Sequence, residues 1–389
     1  MNGIRLPVRL LGVPLRLDPS FLLILPLLAW LIASQVPAYV TLMAEAGIDL
    51  DADALTRGAT PALLGLGAAI GLFVGVVLHE LGHVLAARLF GHQAEEITLW
   101  FLGGMARFRD LPRGPGAEAL VALAGPVASF AVAFASAALI GVTETPWLRF
   151  LASYLAIANG ALGIFNLLPA MPLDGGRILR SLLAIPFGRL RATQASVVVS
   201  RGVAIAMGVW GFLSLNLLLV VLAFFVYQAG TAEGRMAIVE RHFEGRTVRD
   251  LMTPDPATVP PDMPLSQFAR LREFRAHSGY PVVDAAGRLH GFARVLDVDP
   301  LEDADGEMPA DATVARVMRD AETIAPDEPL LKVLPLLVEG RLGRLVVVDA
   351  EGRAVGVLSK TDLVREFERL HERGAFSGRP PRLGSDGGS

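Results

Sequence analysis

Five long apolar runs within the first 235 residues constrain the fold more than any other feature of the sequence. They cover residues 19–34, 61–90, 117–142, 147–168 and 196–228. A helix that crosses a bilayer needs about 20 mainly apolar residues. Within lipid every backbone polar group must be satisfied internally, so spanning segments are helices or strands of a closed barrel. Because the runs have helical lengths, they predict a polytopic α-helical membrane domain over residues 1–235.

The number of membrane spans depends on the last apolar run, which is long for one span and short for two. A turn at Gly211 and Ser214-Leu215-Asn216 would divide it into two short helices, whereas without a turn it would be one long tilted helix. Arginines follow the second and fourth runs, but residues 36–60 carry four acidic residues and one arginine. The positive-inside rule therefore predicts a cytoplasmic N-terminus and places residues 36–60 outside the cell.

The segment His79-Glu80-Leu81-Gly82-His83 brings ionisable side chains into the second apolar run. Histidines four residues apart lie on one face of a helix and can bind one metal ion. A glutamate beside them can reach a water at that metal, and this spacing is typical of zinc hydrolases in which the glutamate is the general base. Ionisable groups at membrane depth are costly and indicate function. The sequence predicts His79 and His83 as ligands and Glu80 as base.

A zinc hydrolase needs a third protein ligand, and Asp174 is the strong candidate. The chain contains no cysteine, so the ligand cannot be a thiolate. Pro169 and Pro172, shortly before Asp174, forbid a continuous helix. A broken helix at membrane depth is tolerated only where it is buried in protein or lines a cavity. The alternative is that Asp174 caps a helix that starts near Arg177.

The pentapeptide and residues 166–175 resemble the two motifs of the site-2 protease family of intramembrane zinc metalloproteases. The resemblance covers residues 1 to about 230. It implies an endopeptidase that cleaves transmembrane segments of membrane-anchored proteins, with the lipid bilayer and a transmembrane protein as partners. It also implies one Zn²⁺ per chain and a set of site residues, namely the ligands His79, His83 and Asp174, the base Glu80, and Asn166 near the substrate carbonyl.

Two further segments are similar to parts of this family. Residues 101–108 resemble a membrane-associated loop that pairs with an unwound substrate, and residues 122–126 resemble another family segment. The alternative for Gly103-Gly104 is an ordinary turn. The alternative for Asn166 is a hydrogen bond that packs membrane helices together.

The C-terminal part of the chain has the composition of a soluble α/β domain and contains an internal repeat. Residues 258–265 match residues 323–330, and at the same offset 280–284 match 345–349. Each repeat is predicted to contain an opening turn, a helix, two short strands joined by a glycine turn, and a closing helix. The tail over residues 374–389 is rich in Gly, Pro, Ser and Arg, which predicts disorder.

The repeats resemble a pair of cystathionine-β-synthase (CBS) domains, over residues 247–301 and 313–371. The resemblance implies an adenine nucleotide, ATP, ADP or AMP, as ligand. It implies that Asp362 accepts from ribose hydroxyls and that Ser359 or Thr361 meets phosphate. The first repeat keeps the aspartate as Asp297 but has Arg294 in place of the serine, and an arginine can still pair with phosphate.

The alternative for the CBS pair is a structural or dimerising role without a ligand, in which Asp362 only caps the closing helix. Pairs of this kind often dimerise, so we expect a homodimer. A domain that binds a cytosolic nucleotide must lie inside the cell, which favours six spans over five. We therefore expect a multi-pass cell-membrane protein with its N-terminus and CBS domains in the cytoplasm and no cleavable signal peptide. A net charge of −4 gives no indication of nucleic-acid binding.

Two other functions combine membrane helices with CBS domains. One is a CBS-regulated transporter, and the other is a catalytically silent membrane protein that senses a nucleotide. Neither requires paired metal ligands with an adjacent glutamate, and transport leaves residues 166–175 without a role. The sequence therefore favours a zinc metalloendopeptidase whose activity is adjusted by its CBS pair.

Overall fold

A computed structural model describes residues 3–101, 103–108, 114–274, 279–297, 311–339 and 343–372. The chain divides into a first unit, Met1–Ala237, and a second unit, Ile238–Ser389. The tail predicted to be disordered, residues 374–389, lies outside the described residues. So do residues 298–301, which end the first predicted CBS domain.

Among the described residues, six helices are long and apolar enough to cross a membrane. They are α1 (Pro19–Glu45), α3 (Thr60–Leu89), α4 (Pro115–Val142), α5 (Pro146–Asn166), α7 (Arg189–Leu213) and α8 (Leu217–Phe243). Two shorter helices, α2 (Ala52–Thr56) and α6 (Asp174–Phe187), complete the helical elements of the first unit. The prediction of a polytopic helical membrane domain with six spans is confirmed.

The last apolar run is a helical hairpin and not one tilted helix. α7 ends at Leu213 and α8 begins at Leu217. Leu215 in the turn has a positive φ of 53°, and the side-chain oxygen of Asn216 accepts a hydrogen bond from the backbone N–H of Leu219 at 3.0 Å. The turn residues identified in the sequence therefore end one helix and start the next.

The first helix is longer than its apolar run indicates. It continues past residue 34, through Pro37, as far as Glu45. Val36, Val40 and Met43 of this extension are buried in a cluster that includes Phe150 of α5. This packing stabilises helix where the sequence alone suggests a loop, so much of the 36–60 segment is helical.

A stripe of glycines at four-residue intervals brings α3 against α5. Its members are Gly67, Gly71 and Gly75, and their counterparts on α5 are Leu151, Leu155 and Asn159. A Cβ atom on these glycines would lie 3.4, 2.9 and 2.3 Å, respectively, from the α5 side chains. Small residues allow membrane helices to approach closely. Gly75 lies one turn before His79, so the close packing of α3 against α5 ends next to the predicted metal ligands.

A four-stranded sheet completes the first unit. Its strands, in spatial order, are β1 (Ile4–Leu10), β2 (Val13–Leu17), β3 (Ala94–Trp100) and β4 (Gly103–Phe108). β1 and β2 form an antiparallel hairpin, β2 pairs parallel to β3, and β3 pairs antiparallel to β4. β4 is therefore an edge strand.

The second unit contains the two predicted repeats. The first repeat contributes β5 (Thr253–Pro254), α9 (Leu265–Phe274), β6 (Gly279–Val283) and β7 (Leu289–Arg294), and the second contributes β8 (Thr323–Ile324), α10 (Leu330–Glu339), β9 (Arg344–Val348), β10 (Ala354–Ser359) and α11 (Lys360–Glu372). Gly287 and Gly352, with φ values of 78° and 77°, form the predicted glycine turns. This α/β architecture confirms the fold class of the C-terminal part.

The two repeats exchange their opening segments. β5 of the first repeat pairs with β10 of the second, and Val248 lies in the second repeat's core beside Leu330 and Leu358. Conversely, residues 312–317, which open the second repeat, pack in the first repeat's core around Phe268. The sequence boundaries of the repeats therefore do not coincide with the packed cores.

Candidate metal centre

The three side chains predicted to bind a metal meet inside the first unit. His79 and His83 project from successive turns of α3, and Asp174 is the first residue of α6. The Nε2 atoms of the two histidines lie 3.2 Å apart, and they lie 3.1 and 3.2 Å from Oδ2 of Asp174. All three residues are buried. The structure thus brings together residues that are up to 95 positions apart.

The break between α5 and α6 positions Asp174. Pro169 and Pro172 lie in this break, as expected from residues that cannot donate a backbone hydrogen bond. The N-cap position of α6 is Leu173, and the Asp174 carboxylate contacts the two histidines instead. The capping alternative, with a helix that starts near Arg177, is not what the structure contains.

The geometry of the cluster fits a zinc ion. Tetrahedral zinc with bonds of about 2.0 to 2.1 Å places neighbouring ligand atoms about 3.3 Å apart, and the three donor atoms lie 3.1 to 3.2 Å apart. Two imidazoles and a carboxylate are ligands that zinc accepts. Three protein ligands leave one position for water or substrate, which is the arrangement of catalytic zinc sites.

Helix α4 orients both histidines through their other ring nitrogens. His79 Nδ1 lies 2.9 Å from Ser129 Oγ, and His83 Nδ1 lies 2.8 Å from the backbone oxygen of Val121. The carbonyl can only accept, so His83 carries its proton on Nδ1 and leaves Nε2 for the metal. Such partners fix the ring orientation of metal-binding histidines. Ser129 was not predicted from the sequence. The one feature that marks it there is a hydroxyl group in an apolar run, four residues after Gly125.

Gly125 leaves space beside the candidate metal-binding atoms. A Cβ atom at this position would lie 2.3 Å from Nε2 of His83 and 2.7 Å from Nε2 of His79. Gly125 lies between Val121 and Ser129 at four-residue intervals, so one face of α4 contacts both histidines. This packing gives a physical reason for a glycine within the segment 122–126.

The predicted base, Glu80, is buried and contacts β4. Its Oε2 atom accepts a hydrogen bond from the backbone N–H of Ala106 at 2.9 Å. A Cβ atom at Gly104 would lie 2.7 Å from Cγ of Glu80 and 2.9 Å from Val76. Because Gly104 has no side chain, β4 can lie close to α3. The alternative for Gly103-Gly104, an ordinary turn, gives no reason for this close contact.

The structure does not bring Asn166 into hydrogen-bond contact with the three ligands in the part of the chain it describes. Asn166 is the last residue of α5 and is half-buried. Its Nδ2 donates to the backbone oxygen of Leu162 at 3.0 Å. The contact lies within its own helix, so the assignment of Asn166 to the substrate carbonyl stays a prediction.

A second asparagine on α5 was missed by the sequence reasoning. Asn159 lies seven residues before Asn166 and therefore on the same face of the helix. It is fully buried, and its Oδ1, beside Gly75, has no hydrogen-bond partner among the described atoms. The sequence feature that could have identified Asn159 is a polar residue within an apolar run.

The predicted nucleotide residues of the second repeat contact each other. Asp362 Oδ2 accepts from the backbone N–H of Ser359 at 2.9 Å and from its hydroxyl at 2.6 Å, while the Asp362 N–H donates to the Ser359 hydroxyl at 3.3 Å. This reciprocal arrangement is a capping box at the start of α11. Thr361 is exposed. Asp362 therefore makes the capping contact that was expected from the sequence as an alternative. Its proposed hydrogen bonds with ribose hydroxyls stay a prediction.

The corresponding aspartate of the first repeat is held by arginines. Arg294 donates two hydrogen bonds to Asp297, of 2.7 and 3.0 Å, and Arg319 donates a third at 3.0 Å. The Arg294 contact is the main reason why the pKa of Asp297 lies below its usual value. The guanidinium of Arg344 lies 5.3 Å from the ring centre of Phe292. Two arginines thus bind the aspartate, and a third packs on an aromatic ring of β7, the strand that ends at Arg294.

A buried cluster of two histidines and one aspartate, with a glutamate beside it and helices long and apolar enough to span a membrane around it, is the arrangement expected of a membrane-embedded metallohydrolase. The family model described as Peptidase family M50 matches residues 67–150 and 142–209, and the CBS domain model matches residues 248–298 and 314–369. The chain belongs to this family, the site-2 proteases, and is a zinc metalloendopeptidase.

Two relatives known from their sequences support this membership. A zinc metalloprotease of Methanocaldococcus jannaschii is 33% identical over 304 residues, which cover 77% of this chain and 84% of the relative. Rip3 of Mycobacterium tuberculosis is 29% identical over 375 residues, which cover 92% of this chain and 91% of the relative. A solved structure, a site-2 protease from Methanocaldococcus jannaschii, is 30% identical with a TM-score of 0.41, covering 60% of this chain and 96% of that chain. The predicted family, enzyme class and multi-pass membrane character are confirmed.

Proposed function

We propose that this intramembrane zinc protease cleaves transmembrane segments of membrane-anchored proteins with His79, His83 and Asp174 as zinc ligands and Glu80 as general base. The observation that carries the proposal is the buried triangle of donor atoms with sides of 3.1 to 3.2 Å, beside a glutamate on the same helix. Apolar surroundings are what a protease of membrane helices needs around its site.

The chemistry divides between the metal and the chain. Zinc, when bound, lowers the pKa of a coordinating water and polarises a carbonyl group. Glu80 takes the proton of the attacking water and transfers it to the leaving amine. The N–H of Ala106 holds the carboxylate in place for both transfers. Asn166, one of whose amide hydrogens bonds within α5, is proposed to donate the other to the developing oxyanion.

A helical substrate must unwind before its peptide bonds can be cut, and β4 offers a partner for the unwound segment. The N–H of Ala106 points at Glu80, so this residue faces away from β3. In an antiparallel pair, residues two positions apart face the same edge, which gives Gly104 the same direction. The N–H of Ala106 is already bonded to Glu80, so a substrate strand would pair with the main-chain groups of Gly104 on this edge and would lie beside Glu80.

Co-expression with candidate substrates tests the proposal. Wild type and Glu80→Gln are expressed in the same cells, and membrane proteomics identifies fragments that appear only with the wild type. Glu240→Gln, an exposed change of the same kind on α8, serves as the matched control. We expect fragments with the wild type and the control and none with Glu80→Gln, which retains zinc. Equal cleavage by Glu80→Gln would show that the base is assigned wrongly.

We also propose that the N-terminus and the CBS pair lie in the cytoplasm. Six spans return both ends of the membrane unit to one side, and the acidic 36–60 segment lies on the other. The chain has no cysteine, so a single cysteine introduced at the exposed position Ala54 or Glu244 is a clean reporter. We expect a membrane-impermeant maleimide to label position 54 in intact cells and position 244 only after lysis. The reverse pattern would overturn this orientation.

The CBS pair is proposed to bind ATP, ADP or AMP, to adjust proteolysis and to form a homodimer. The cluster of Arg294, Arg319 and Arg344 supports a phosphate ligand, because guanidinium groups bind phosphate bidentately. Titration of the full-length protein with ATP, with Asp362→Ala and Arg294→Ala as variants, tests the binding. We expect weaker binding in both variants and a dimeric mass by light scattering. Unchanged affinity in both variants would exclude this site.

A further inference from the structure

A buried ion cluster joins three helices of the first unit close to the metal centre. Arg180 of α6 donates to Glu233 of α8, with 2.6 Å between Nη1 and Oε1. It also donates to Glu118 of α4, with 3.1 Å between Nε and Oε1 and a further contact from Nη2. This cluster has no part in the zinc site or the proton transfers proposed above.

The cluster fixes α6 in position. An arginine remains charged at any physiological pH, and a buried charge is tolerated only when it is paired. The planar guanidinium binds carboxylates in a defined geometry, and here the carboxylates come from two different helices. Movement of α6 relative to α4 or α8 would separate a buried pair, which is strongly unfavourable.

The position of Arg180 determines that of Asp174. The two residues belong to the same helix, six positions apart, so Asp174 follows any shift of Arg180. On the other side of Asp174, the backbone N–H of Met171 donates to Ser200 Oγ at 2.7 Å. A Cβ atom at Gly230 of α8 would lie 3.1 Å from the backbone oxygen of Met171. Helix α8 therefore contacts the chain on both sides of the aspartate.

The other two ligands are held differently. His79 and His83 lie on α3 and are oriented by Ser129 and Val121 of α4. Of the contacts described above, only those around Asp174 involve α8, which runs from the first unit into the second. Asp174 is thus the ligand whose position depends on α8.

We propose that Arg180 is a positioning residue for the third zinc ligand and that its ion pair with Glu233 sets the affinity of the site for metal. The Glu233 side chain is 42% exposed, whereas that of Glu118 is 13% exposed. The Glu233 contact is therefore the weaker and more adjustable of the two. The proposal deepens the proposed function, on whose zinc site it rests.

Metal titration of the full-length protein in detergent tests this proposal. The stripped protein is titrated with Co²⁺, whose visible absorption reports ligand geometry, and the dissociation constant and spectrum are compared between variants. We expect Arg180→Lys to weaken Co²⁺ binding about tenfold and to change the spectrum, as loss of a supporting contact does at other metal sites. We expect a smaller loss in Glu233→Gln, which leaves Arg180 paired with Glu118.

Glu240→Gln is the matched control, since it makes the same chemical change at an exposed position of the same helix. It should bind Co²⁺ as the wild type does. If Arg180→Lys fails to fold, Glu233→Gln carries the test. Folded variants with wild-type affinity and spectrum, even if less stable to heat, would overturn the positioning role. Failure of the wild type itself to bind Co²⁺ would instead contradict the proposed zinc site.

Discussion

The metal centre of the first unit and the predicted nucleotide sites of the second unit hold their acidic side chains in opposite ways. Asp174 contacts His79, 95 positions away, and His79 contacts Ser129, 50 positions away. By contrast, Asp362 has its shortest hydrogen bond to Ser359 and Asp297 to Arg294, in each case three positions away. More distant residues add one longer bond each, Thr253 to Asp362 and Arg319 to Asp297. The first arrangement requires several helices to meet, whereas the second forms mainly within a single turn.

Charge balance makes the contrast sharper. Glu366 in the second unit also has distant partners, Arg246 and His242, at 2.8 and 2.7 Å, but the arginine neutralises it. Asp174 contacts only imidazoles among the described residues. A buried carboxylate without a cation is costly, and a bound metal ion supplies the missing charge. Convergent buried polar groups that lack a balancing charge therefore require a ligand for their own stability, whereas neutralised groups are stable with or without one.

The largest effect is expected from a substitution that fills the space beside the metal. Gly125→Ala places a methyl group 2.3 Å from the expected position of a ligand atom, Nε2 of His83. We expect metal affinity to fall at least about 100-fold, measured by Co²⁺ titration. Gly141→Ala on the same helix, where a Cβ atom meets nothing within 4 Å, should behave as wild type. Normal metal binding by Gly125→Ala would contradict the geometry of the centre.

Breaking the neutralised cluster should instead reduce stability and leave the metal in place. The hydrogen bond from Arg246 is the main reason why the pKa of Glu366 falls from 4.5 to about 2. The resulting stabilisation, on the order of 1 to 3 kcal/mol, is present above about pH 4.5 and is lost as the pH falls toward 2. Glu366→Gln should therefore speed hydrogen exchange in α11 at pH 7 more than at pH 3.

The matched control for this change is Glu368→Gln, at an exposed position of the same helix. It should leave hydrogen exchange in α11 unchanged at both pH values. An equal effect of Glu366→Gln at pH 7 and pH 3 would show that the ion pair does not cause the stabilisation. Loss of bound metal in Glu366→Gln would remove the distinction between the two kinds of cluster.

A moderate effect is expected from the hydroxyl that orients His79. Ser129→Ala removes the partner of His79 Nδ1, which lies 2.9 Å away. Loss of such a partner weakens metal binding about tenfold, and Co²⁺ titration should detect this. Ser34→Ala, at an exposed hydroxyl of α1 that bonds to Leu31, is the control. An unchanged affinity for Co²⁺ in Ser129→Ala would show that the serine only packs against α3 and does not orient His79.

The smallest effect concerns the capping box of α11. Ser359→Ala removes the N-cap hydroxyl and should lower stability by about 1 kcal/mol, measured as faster hydrogen exchange in this helix. Thr361→Ala, at an exposed neighbouring position, should change exchange little. ATP titration of the same variants separates capping from phosphate binding. A larger loss of ATP affinity in Ser359→Ala than in Thr361→Ala would show that the serine also binds the ligand.

The sequence predicts those parts of the molecule that depend on local pattern. His79 and His83 follow from helical spacing, the break before Asp174 follows from two prolines, and the turns at Gly287 and Gly352 follow from the repeat. In each case the decisive interaction lies within one helix turn or one loop. The family motifs add the pairing of α3 with α6, which spacing alone does not give.

Features that depend on how helices pack are not visible in the sequence. Ser129 is one hydroxyl in an apolar run until α4 is placed against α3, and Arg180 is one arginine among several until Glu118 and Glu233 meet it. The exchange of opening segments between the repeats, seen at Val248, has the same origin. α1 extends to Glu45 because its last turns pack against other elements, and such contacts leave no periodic signal.

The zinc content of the purified full-length protein shows whether the chain holds a metal ion through Asp174. The metal is measured by mass spectrometry in wild type, Asp174→Ala and the exposed control Asp53→Ala. We expect one zinc ion per chain in the wild type and the control, and loss of zinc in Asp174→Ala despite correct folding. A folded Asp174→Ala protein that retains one zinc ion per chain would contradict the role of Asp174 as a ligand.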